Sequence, residues 1–255
     1  MHSKGEFTNH TELTDKDLEG YLEARDFAKG VGKEIISSIK PGMTEKEIED
    51  IAYDVFRTNG VRHHWHMPII GVGEGSAKLK DLYSLASGYL TRYSRTLHEN
   101  DIVLIDIAPV YNEYPSDYTI CHVSGSNPDL EALAAYAQDI SCRIARSVKQ
   151  GMVVSDVFRR AKELIADSGY TLAYPPLISM GHRICRLPSP WQRLPEPGLS
   201  YLLLRARAPF IAAGNNTPMD GLWVIEPYLM YKERAAKFET LIFVGKETVV
   251  LDRKI

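Results

Sequence analysis

The chain is poor in cysteine, in long apolar runs and in excess charge of either sign. Its three cysteines, Cys121, Cys142 and Cys185, are odd in number and scattered, which excludes a disulfide framework and a thiolate zinc site. No apolar run approaches the roughly 18 residues of a membrane-spanning helix. The polar segment from Met1 to Thr14 also lacks the apolar stretch of a signal peptide. We therefore expect a cytoplasmic protein.

The charge balance argues against two classes of partner. Lysine and arginine together number 30 against 33 acidic residues, so the net charge of -3 gives no reason to expect binding to nucleic acid or to an anionic membrane. A small molecule or a short peptide remains as the expected partner. With 255 residues, 44% of them hydrophobic, the chain is long enough for one large domain. We predict a flexible N-terminal segment at 1–14 and a single catalytic domain at 15–255.

The chain aligns with itself when it is shifted so that Ile39 falls on Val148. Under this shift, residues of about 35–60 match residues of about 144–169. Each copy contains a helical pattern, a Gly-Met turn, a second helical pattern and a terminal glycine. In the first copy, Thr44 and Glu47 form the sequence pattern of a capping box. Chance similarity of two amphipathic helices is the alternative, but the shared turn favours a duplicated α+β unit.

Apolar runs follow each helical block and predict strands. The predicted strands are Val61–Ile70, Ile102–Val110, Tyr118–Val123, Leu177–Met180, Leu222–Met230 and Lys237–Val244. The stretch from Arg183 to Asp220 is rich in proline, and we predict a long loop with one short helix near Tyr201.

Acidic residues lie in or beside these predicted strands. Asp106 lies within the apolar run Ile102–Ala108, Glu226 and Glu239 adjoin similar runs, and Asp117 precedes the strand at 118–123. A buried carboxylate is unfavourable unless it is paired with a cation or bound to a metal. Taken singly, each of these residues could be an ordinary salt-bridge partner.

Taken together, the acidic residues predict a metal site. Few basic residues accompany them in the same strands, so a concentrated positive charge is expected, and two divalent metal ions would supply it. His182 ends a further apolar stretch and is the candidate nitrogen ligand.

The order of these residues resembles the M24 family, which includes methionine aminopeptidase, aminopeptidase P, prolidase and creatinase. The resemblance extends from about residue 15 to the C-terminus. It implies the pita-bread fold, an α+β fold whose two pseudo-symmetric halves also account for the internal repeat. The segments that carry it are Ile105-Asp106-Ile107-Ala108-Pro109-Val110, Ser116-Asp117, Met180-Gly181-His182, Val224-Ile225-Glu226-Pro227 and Phe238-Glu239-Thr240.

The resemblance also implies roles for the site residues. Two divalent ions, of manganese, iron, cobalt or zinc, would be held by Asp106, Asp117, His182, Glu226 and Glu239. Glu226 would also act as general base. His66 resembles a histidine that contacts the substrate in this family, and the nearby His63 and His64 are further substrate-binding candidates.

The implied reaction is hydrolysis of an amide or other C–N bond through a metal-bridging hydroxide, and the implied assembly is a homodimer. The sequence departs from the family where a second histidine usually follows the Gly-His pair, because Ser189 stands there, and we take Ser189 as a substrate-binding candidate. The departure keeps two alternatives open. One is oxidative or other non-hydrolytic chemistry with iron or manganese on a small metabolite, and the other is a metal-free binding module. The five retained ligand residues argue against the second.

Overall fold

The fold is a mixture of helices and antiparallel sheets. The computed structural model describes residues 12–77, 92–173, 180–184 and 210–252. Its helices are α1 (Asp15–Ser38), α2 (Glu45–Thr58), α3 (Pro128–Ser147) and α4 (Val154–Ile165). None of these helices combines the length and the apolar character that crossing a bilayer requires.

The described ranges also contain one short 3-10 helix, Gly73–Ala77, and twelve short strands. In chain order they are β1 (Ile69–Val72), β2 (Ile102–Ile107), β3 (Val110–Tyr111), β4 (Tyr114–Pro115), β5 (Tyr118–Val123), β6 (Thr171–Leu172), β7 (Gly181–Arg183), β8 (Gly221–Ile225), β9 (Tyr228–Tyr231), β10 (Arg234–Lys237), β11 (Thr240–Val244) and β12 (Thr248–Val250).

The helix pairs have equivalent bounds and the same turn hydrogen bond in both copies of the sequence repeat. Helix α1 ends at Ser38 and α3 at Ser147, and the second helices begin at the equivalent positions Glu45 and Val154. In each connecting turn the amide of the methionine donates to a carbonyl three residues earlier, at 3.3 Å in the first copy and 3.2 Å in the second. The predicted capping box is present at the start of α2, where the Thr44 hydroxyl accepts from the Glu47 amide.

Two antiparallel sheets repeat the same arrangement. In the first half the strand order is β1-β2-β5, and in the second half β7-β8-β11, with β12 added at the edge of β11. In the chain, a hairpin connects the two central strands of each half, β3-β4 in the first half and β9-β10 in the second. In the second half, β6 pairs with β9 and adds a third strand. Strands β2 and β5 are therefore the counterparts of β8 and β11.

Each helix pair packs against the sheet of its own half through a large apolar cluster. In the first half, α1 and α2 pack on β1, β2 and β5 through residues such as Ile35, Ile48 and Ile105. In the second half, α3 and α4 pack on β8 and β11 through residues such as Ile140 and Trp223. The helices thus cover the outer face of each sheet.

Three of the predicted strands are wrong in extent, because each is interrupted beside a polar residue. The predicted strand Val61–Ile70 is regular only from Ile69, because the chain bends at Trp65 and His66 and Pro68 has no amide to donate. The predicted strand Leu222–Met230 divides into β8 and β9 at Glu226-Pro227. The predicted strand Lys237–Val244 divides between β10 and β11, at Phe238-Glu239.

The remaining predicted elements differ in outcome. Strand β2 is buried along its whole length, as the apolar run predicts, and it ends at Ile107 rather than Val110. Strand β5 has the predicted bounds Tyr118–Val123. Of the predicted strand Leu177–Met180, only Met180 belongs to the described residues, and the helix near Tyr201 lies outside them. Residues 1–11 of the predicted N-terminal segment lie outside them as well.

Candidate metal centre

The four acidic candidates occupy equivalent positions in the two halves. Asp106 is the next-to-last residue of β2, and Glu226 directly follows β8. Asp117 directly precedes β5, and Glu239 directly precedes β11. Because the two central strand pairs meet along the middle of the domain, all four carboxylates point into one buried cluster, and each side chain is at most 9% exposed.

Two histidines contact one side of this cluster. The Nε2 atom of His66 lies 3.2 Å from Asp117 Oδ1 and 3.4 Å from Asp106 Oδ1. The Nε2 atom of His182 lies 3.2 Å from Asp117 Oδ2 and 3.7 Å from Glu226 Oε1. Asp117 is therefore shared between the two rings. The atoms that His66, Asp106 and Asp117 offer lie within 4.8 Å of one another, which is close enough to hold one metal ion.

The chain places each histidine through local backbone features. The bend at Trp65-His66 turns the His66 ring inward, and the Gly181-His182 pair brings β7 close to β8. Gly181 has a φ of +141°, and a side chain there would overlap the carbonyl oxygen of Val224. The His182 ring also stacks on Trp65, with the ring centroids 4.9 Å apart.

Hydrogen bonds set the orientation of both rings. The Nδ1 atom of His66 lies 2.7 Å from the Met67 carbonyl oxygen, and that of His182 lies 3.3 Å from the Arg183 carbonyl oxygen. A carbonyl can only accept, so Nδ1 carries the hydrogen in each ring. In the neutral form, both Nε2 atoms then present a lone pair to the carboxylate cluster, as metal-binding histidines do.

Lys237 contacts the opposite side of the cluster. Its Nζ atom lies 2.7 Å from Asp106 Oδ2, 2.7 Å from Glu226 Oε2 and 2.7 Å from Glu239 Oε1. The expectation that few basic residues accompany the carboxylates is therefore wrong at this position. Lys237 ends β10 two residues before Glu239, and a lysine in a buried strand next to a carboxylate is the pattern that could have indicated it.

Among the described residues, Lys237 alone does not balance four carboxylates, and the directions of the pKa shifts agree with this deficit. Burial alone would lower the pKa of His66, but the charges of Asp106 and Asp117 raise it to about 10. The pKa of His182 is raised as well, against burial, by its hydrogen bond to Asp117. Burial and repulsion from neighbouring carboxylates raise the pKa of Glu239 well above its ordinary range, despite Lys237. The cluster thus favours any added positive charge.

Two carboxylate oxygens of the cluster are buried without a hydrogen-bond donor among the described residues. They are Asp106 Oδ1 and Glu239 Oε2. Oxygens of this kind, together with the two Nε2 atoms, form a donor set that suits divalent ions of manganese, iron, cobalt or zinc. The residues present therefore fit the divalent ions that the sequence predicts.

A buried arginine holds the backbone next to two of the candidate ligands. The guanidinium of Arg25, in α1, donates to the carbonyl oxygens of Asp117 and Glu239. Its Nε lies 3.4 Å from Asp252 Oδ2, and its guanidinium lies over the ring of Tyr118. No sequence motif marks Arg25 as part of this site, although it lies at helical spacing among buried residues of α1.

The three substrate-binding candidates stay predictions. His64 packs its ring against Phe56, with the centroids 5.7 Å apart, and its Nδ1 lies 2.8 Å from the His66 carbonyl oxygen. His63 is half-buried, and its carbonyl accepts from the Val110 amide. Ser189 lies outside the described residues.

Comparison with known proteins identifies the family. The model of metallopeptidase family M24 matches residues 19–246. The chain belongs to this family. It is 25% identical over 225 residues to the Xaa-Pro dipeptidase of Pyrococcus furiosus, covering 88% of this chain and 61% of the dipeptidase.

Solved structures of M24 enzymes show the same fold. The X-Pro aminopeptidase of Thermotoga maritima superposes with a TM-score of 0.69 at 19% identity, over 94% of this chain and 61% of the aminopeptidase. The methionine aminopeptidase of Thermotoga maritima superposes with a TM-score of 0.64 at 16% identity, over 94% of this chain and 97% of that chain. The M24 chain therefore has the predicted pita-bread fold, with its two pseudo-symmetric halves.

The curated relatives are longer than this chain. It spans 39% of the first two and 61% of the Pyrococcus dipeptidase. The activities for which these relatives are named are those of the longer proteins.

Proposed function

We propose that this M24 chain is a metal-dependent hydrolase that cleaves an amide C–N bond in a short peptide or a related small molecule. One observation carries the proposal. Four buried carboxylates, from equivalent positions in the two halves, converge on two histidines whose Nε2 atoms face them. Such a cluster is unfavourable without added positive charge, and its donor atoms suit divalent ions.

The ligand set of the proposal is the one that the sequence predicts. Asp106, Asp117, His182, Glu226 and Glu239 would hold a pair of divalent ions. When bound, such ions polarise a substrate carbonyl and activate water at neutral pH. The structure adds His66 as a neighbour of Asp106 and Asp117, so this histidine would act as a further ligand or contact the substrate directly.

The residues of the chain would then orient the reacting groups. Glu226, as general base, would accept the proton of the attacking water. Its Oε1 faces His182, and its Oε2 is held at 2.7 Å by Lys237, so the carboxylate has a fixed orientation before any ion binds. The Nδ1 contact of His66 with the Met67 carbonyl similarly fixes the ring.

Peptides are the first substrates to test, because the similar proteins are named as a Xaa-Pro dipeptidase, an X-Pro aminopeptidase and a methionine aminopeptidase. The test is a panel of three matched peptide sets, with proline in second place, with alanine in second place, and with an N-terminal methionine. Each set is incubated with protein that has been loaded in turn with manganese, cobalt, zinc or iron, and released amino acids are measured. Cleavage of any set supports the proposal.

A matched pair of variants separates the site from a contaminating peptidase. Asp117→Asn removes a carboxylate that contacts both histidines, and we expect loss of activity by about 100-fold or more. Asp139→Asn makes the same chemical change on the exposed surface of α3, where the side chain is 59% exposed, and it should retain native activity. Protein that binds metal but cleaves none of the three sets would overturn the peptidase form of the proposal.

A further inference from the structure

The carboxylate cluster has two sides, which differ in the cation that they face. Asp106 directs Oδ1 toward His66, at 3.4 Å, and Oδ2 toward Lys237, at 2.7 Å. Glu226 directs Oε1 toward His182, at 3.7 Å, and Oε2 toward Lys237, at 2.7 Å. Both carboxylates are therefore divided between a histidine side and a lysine side.

The lysine side is a well-matched site for one cation. The Lys237 ammonium has three hydrogens, and three carboxylate oxygens lie at hydrogen-bond distance, from Asp106, Glu226 and Glu239. The lysine side chain is only 10% exposed, so water screens these contacts weakly. The Thr119 hydroxyl also donates to Glu239 Oε1, at 2.8 Å, so this oxygen contacts both Thr119 and Lys237.

We propose that Lys237 is the resident cation of the lysine side and competes with one divalent ion for Asp106, Glu226 and Glu239. The inference rests on the proposed function and deepens it, because it makes the two ion positions unequal. The first ion binds on the histidine side, where both Nε2 atoms and Asp117 are available. The second ion binds only when it displaces the ammonium, which breaks three charge-assisted hydrogen bonds.

The same geometry predicts what removal of the charge would do. Lys237→Met keeps an unbranched side chain but leaves three buried carboxylate oxygens without a cation, so a second divalent ion should bind more tightly by about tenfold or more. Lys237→Gln is a second neutral variant that can still donate hydrogen bonds. Lys237→Arg keeps the charge and should keep the second ion weak. Lys232→Met removes an exposed lysine on the turn that follows β9 and should bind metal as the native chain does.

Metal binding is measured directly, without an assay of activity. Native protein and the four variants are dialysed to equilibrium against a series of Mn²⁺ concentrations, and bound manganese is counted by inductively coupled plasma mass spectrometry. Electron paramagnetic resonance of the same samples distinguishes isolated Mn²⁺ ions from neighbouring ions that are coupled to one another. Circular dichroism checks that each variant is folded.

The native chain tests the inference even if a neutral variant fails to fold. We expect one tightly bound, isolated ion in the native chain, in Lys237→Arg and in Lys232→Met, and a coupled pair in the folded neutral variants. Two ions of equal affinity in the native chain would overturn the inference and leave the proposed function standing. So would folded neutral variants that bind no more metal than the native chain. Absence of bound metal in the native chain and in every variant would overturn the proposed function as well.

Discussion

Arg25 donates a hydrogen bond to the main-chain carbonyl of Asp117, although the two residues are 92 positions apart in sequence. Its guanidinium also donates to the carbonyl of Glu239, 214 positions away. One side chain of α1 therefore joins the segment that precedes β5 to the segment that precedes β11. These segments are equivalent in the two halves, and each carries a candidate metal ligand. Arg25 thus holds together the two segments that carry these candidates.

The first prediction concerns removal of this buried guanidinium. Arg25→Met should lower the free energy of unfolding by about 3 kcal/mol or more, because it leaves two carbonyls without a donor and takes one of the cation partners from the buried Asp252. Urea denaturation measures the change. Lys33→Met, on the exposed side of the same helix, should change stability by less than about 0.5 kcal/mol. Equal effects of the two substitutions would contradict the assigned role.

The second prediction concerns the hydroxyl that supports Glu239. Thr119→Val keeps the shape of the side chain but removes the 2.8 Å hydrogen bond to Glu239 Oε1, so the carboxylate is less well oriented. The affinity for the second manganese ion, measured by equilibrium dialysis, should fall by about tenfold, because Glu239 loses a hydrogen bond that orients it. Thr119→Ser keeps the hydroxyl and should restore most of the affinity. A purely structural role would lower stability in Thr119→Val without changing metal affinity.

The sequence predicts those features of the fold that depend on residues close together in the chain. The capping box of Thr44 and Glu47 forms because the partners are three residues apart. The run from Ile102 to Ile107 is buried throughout because its apolar residues leave no polar face. Asp106 is the exception within that apolar run. Because a buried carboxylate is unfavourable on its own, the sequence predicts a positively charged partner without identifying it.

The contacts of Lys237 and Arg25 could not be predicted in the same way. Lys237 reaches Asp106 only because β10 and β2 come from different halves that meet at the centre.

The strand interruptions at Pro68 and at Glu226-Pro227 have a signal in the sequence, since proline cannot donate to a sheet. The apolar runs on either side of them nevertheless suggested continuous strands. The strand breaks beside these candidate residues turn His66 and Glu226 out of the sheet and into the cluster.

The third prediction tests the equivalence of the two halves. Gly42 and Gly151 occupy the same place in the two turns, with φ of +95° and +85°, and the space where a side chain would stand is open at both. Alanine at either position should cost about 1–2 kcal/mol, from backbone strain alone. Gly30→Ala, in the exposed interior of α1, should instead stabilise the protein by up to about 1 kcal/mol. Chemical denaturation of the three variants measures the free energy of unfolding, which should fall in the two turn variants and rise in Gly30→Ala.

A large difference in destabilisation between the two glycine substitutions would also contradict the equivalence of the two halves. If Gly42→Ala and Gly151→Ala differed by several kcal/mol, the turns would not be structurally equivalent, and the similar hydrogen bonds of Met43 and Met152 would be insufficient evidence for the repeat.

The fourth prediction uses Trp65 as an internal reporter of metal binding. Its indole stacks on the His182 ring at 4.9 Å with an angle of 8° between the planes, so a change at His182 Nε2 changes the electronic surroundings of the indole. Binding of Mn²⁺ or Zn²⁺ on the histidine side should therefore change the tryptophan emission of the native chain. Trp65→Phe keeps a stacked ring and should still bind metal, but its emission should no longer respond.

His182→Ala completes the test, because it keeps the reporter and removes the proposed ligand. Its tryptophan emission should not respond to metal at concentrations that saturate the native chain. The control is Trp223→Phe, which removes an indole in the core of the second half, where Nε1 donates to the Asp220 carbonyl at 2.7 Å, and should retain the response. If His182→Ala responds as the native chain does, the ion does not bind at His182, and the ligand set proposed for this centre is wrong at its nitrogen ligand.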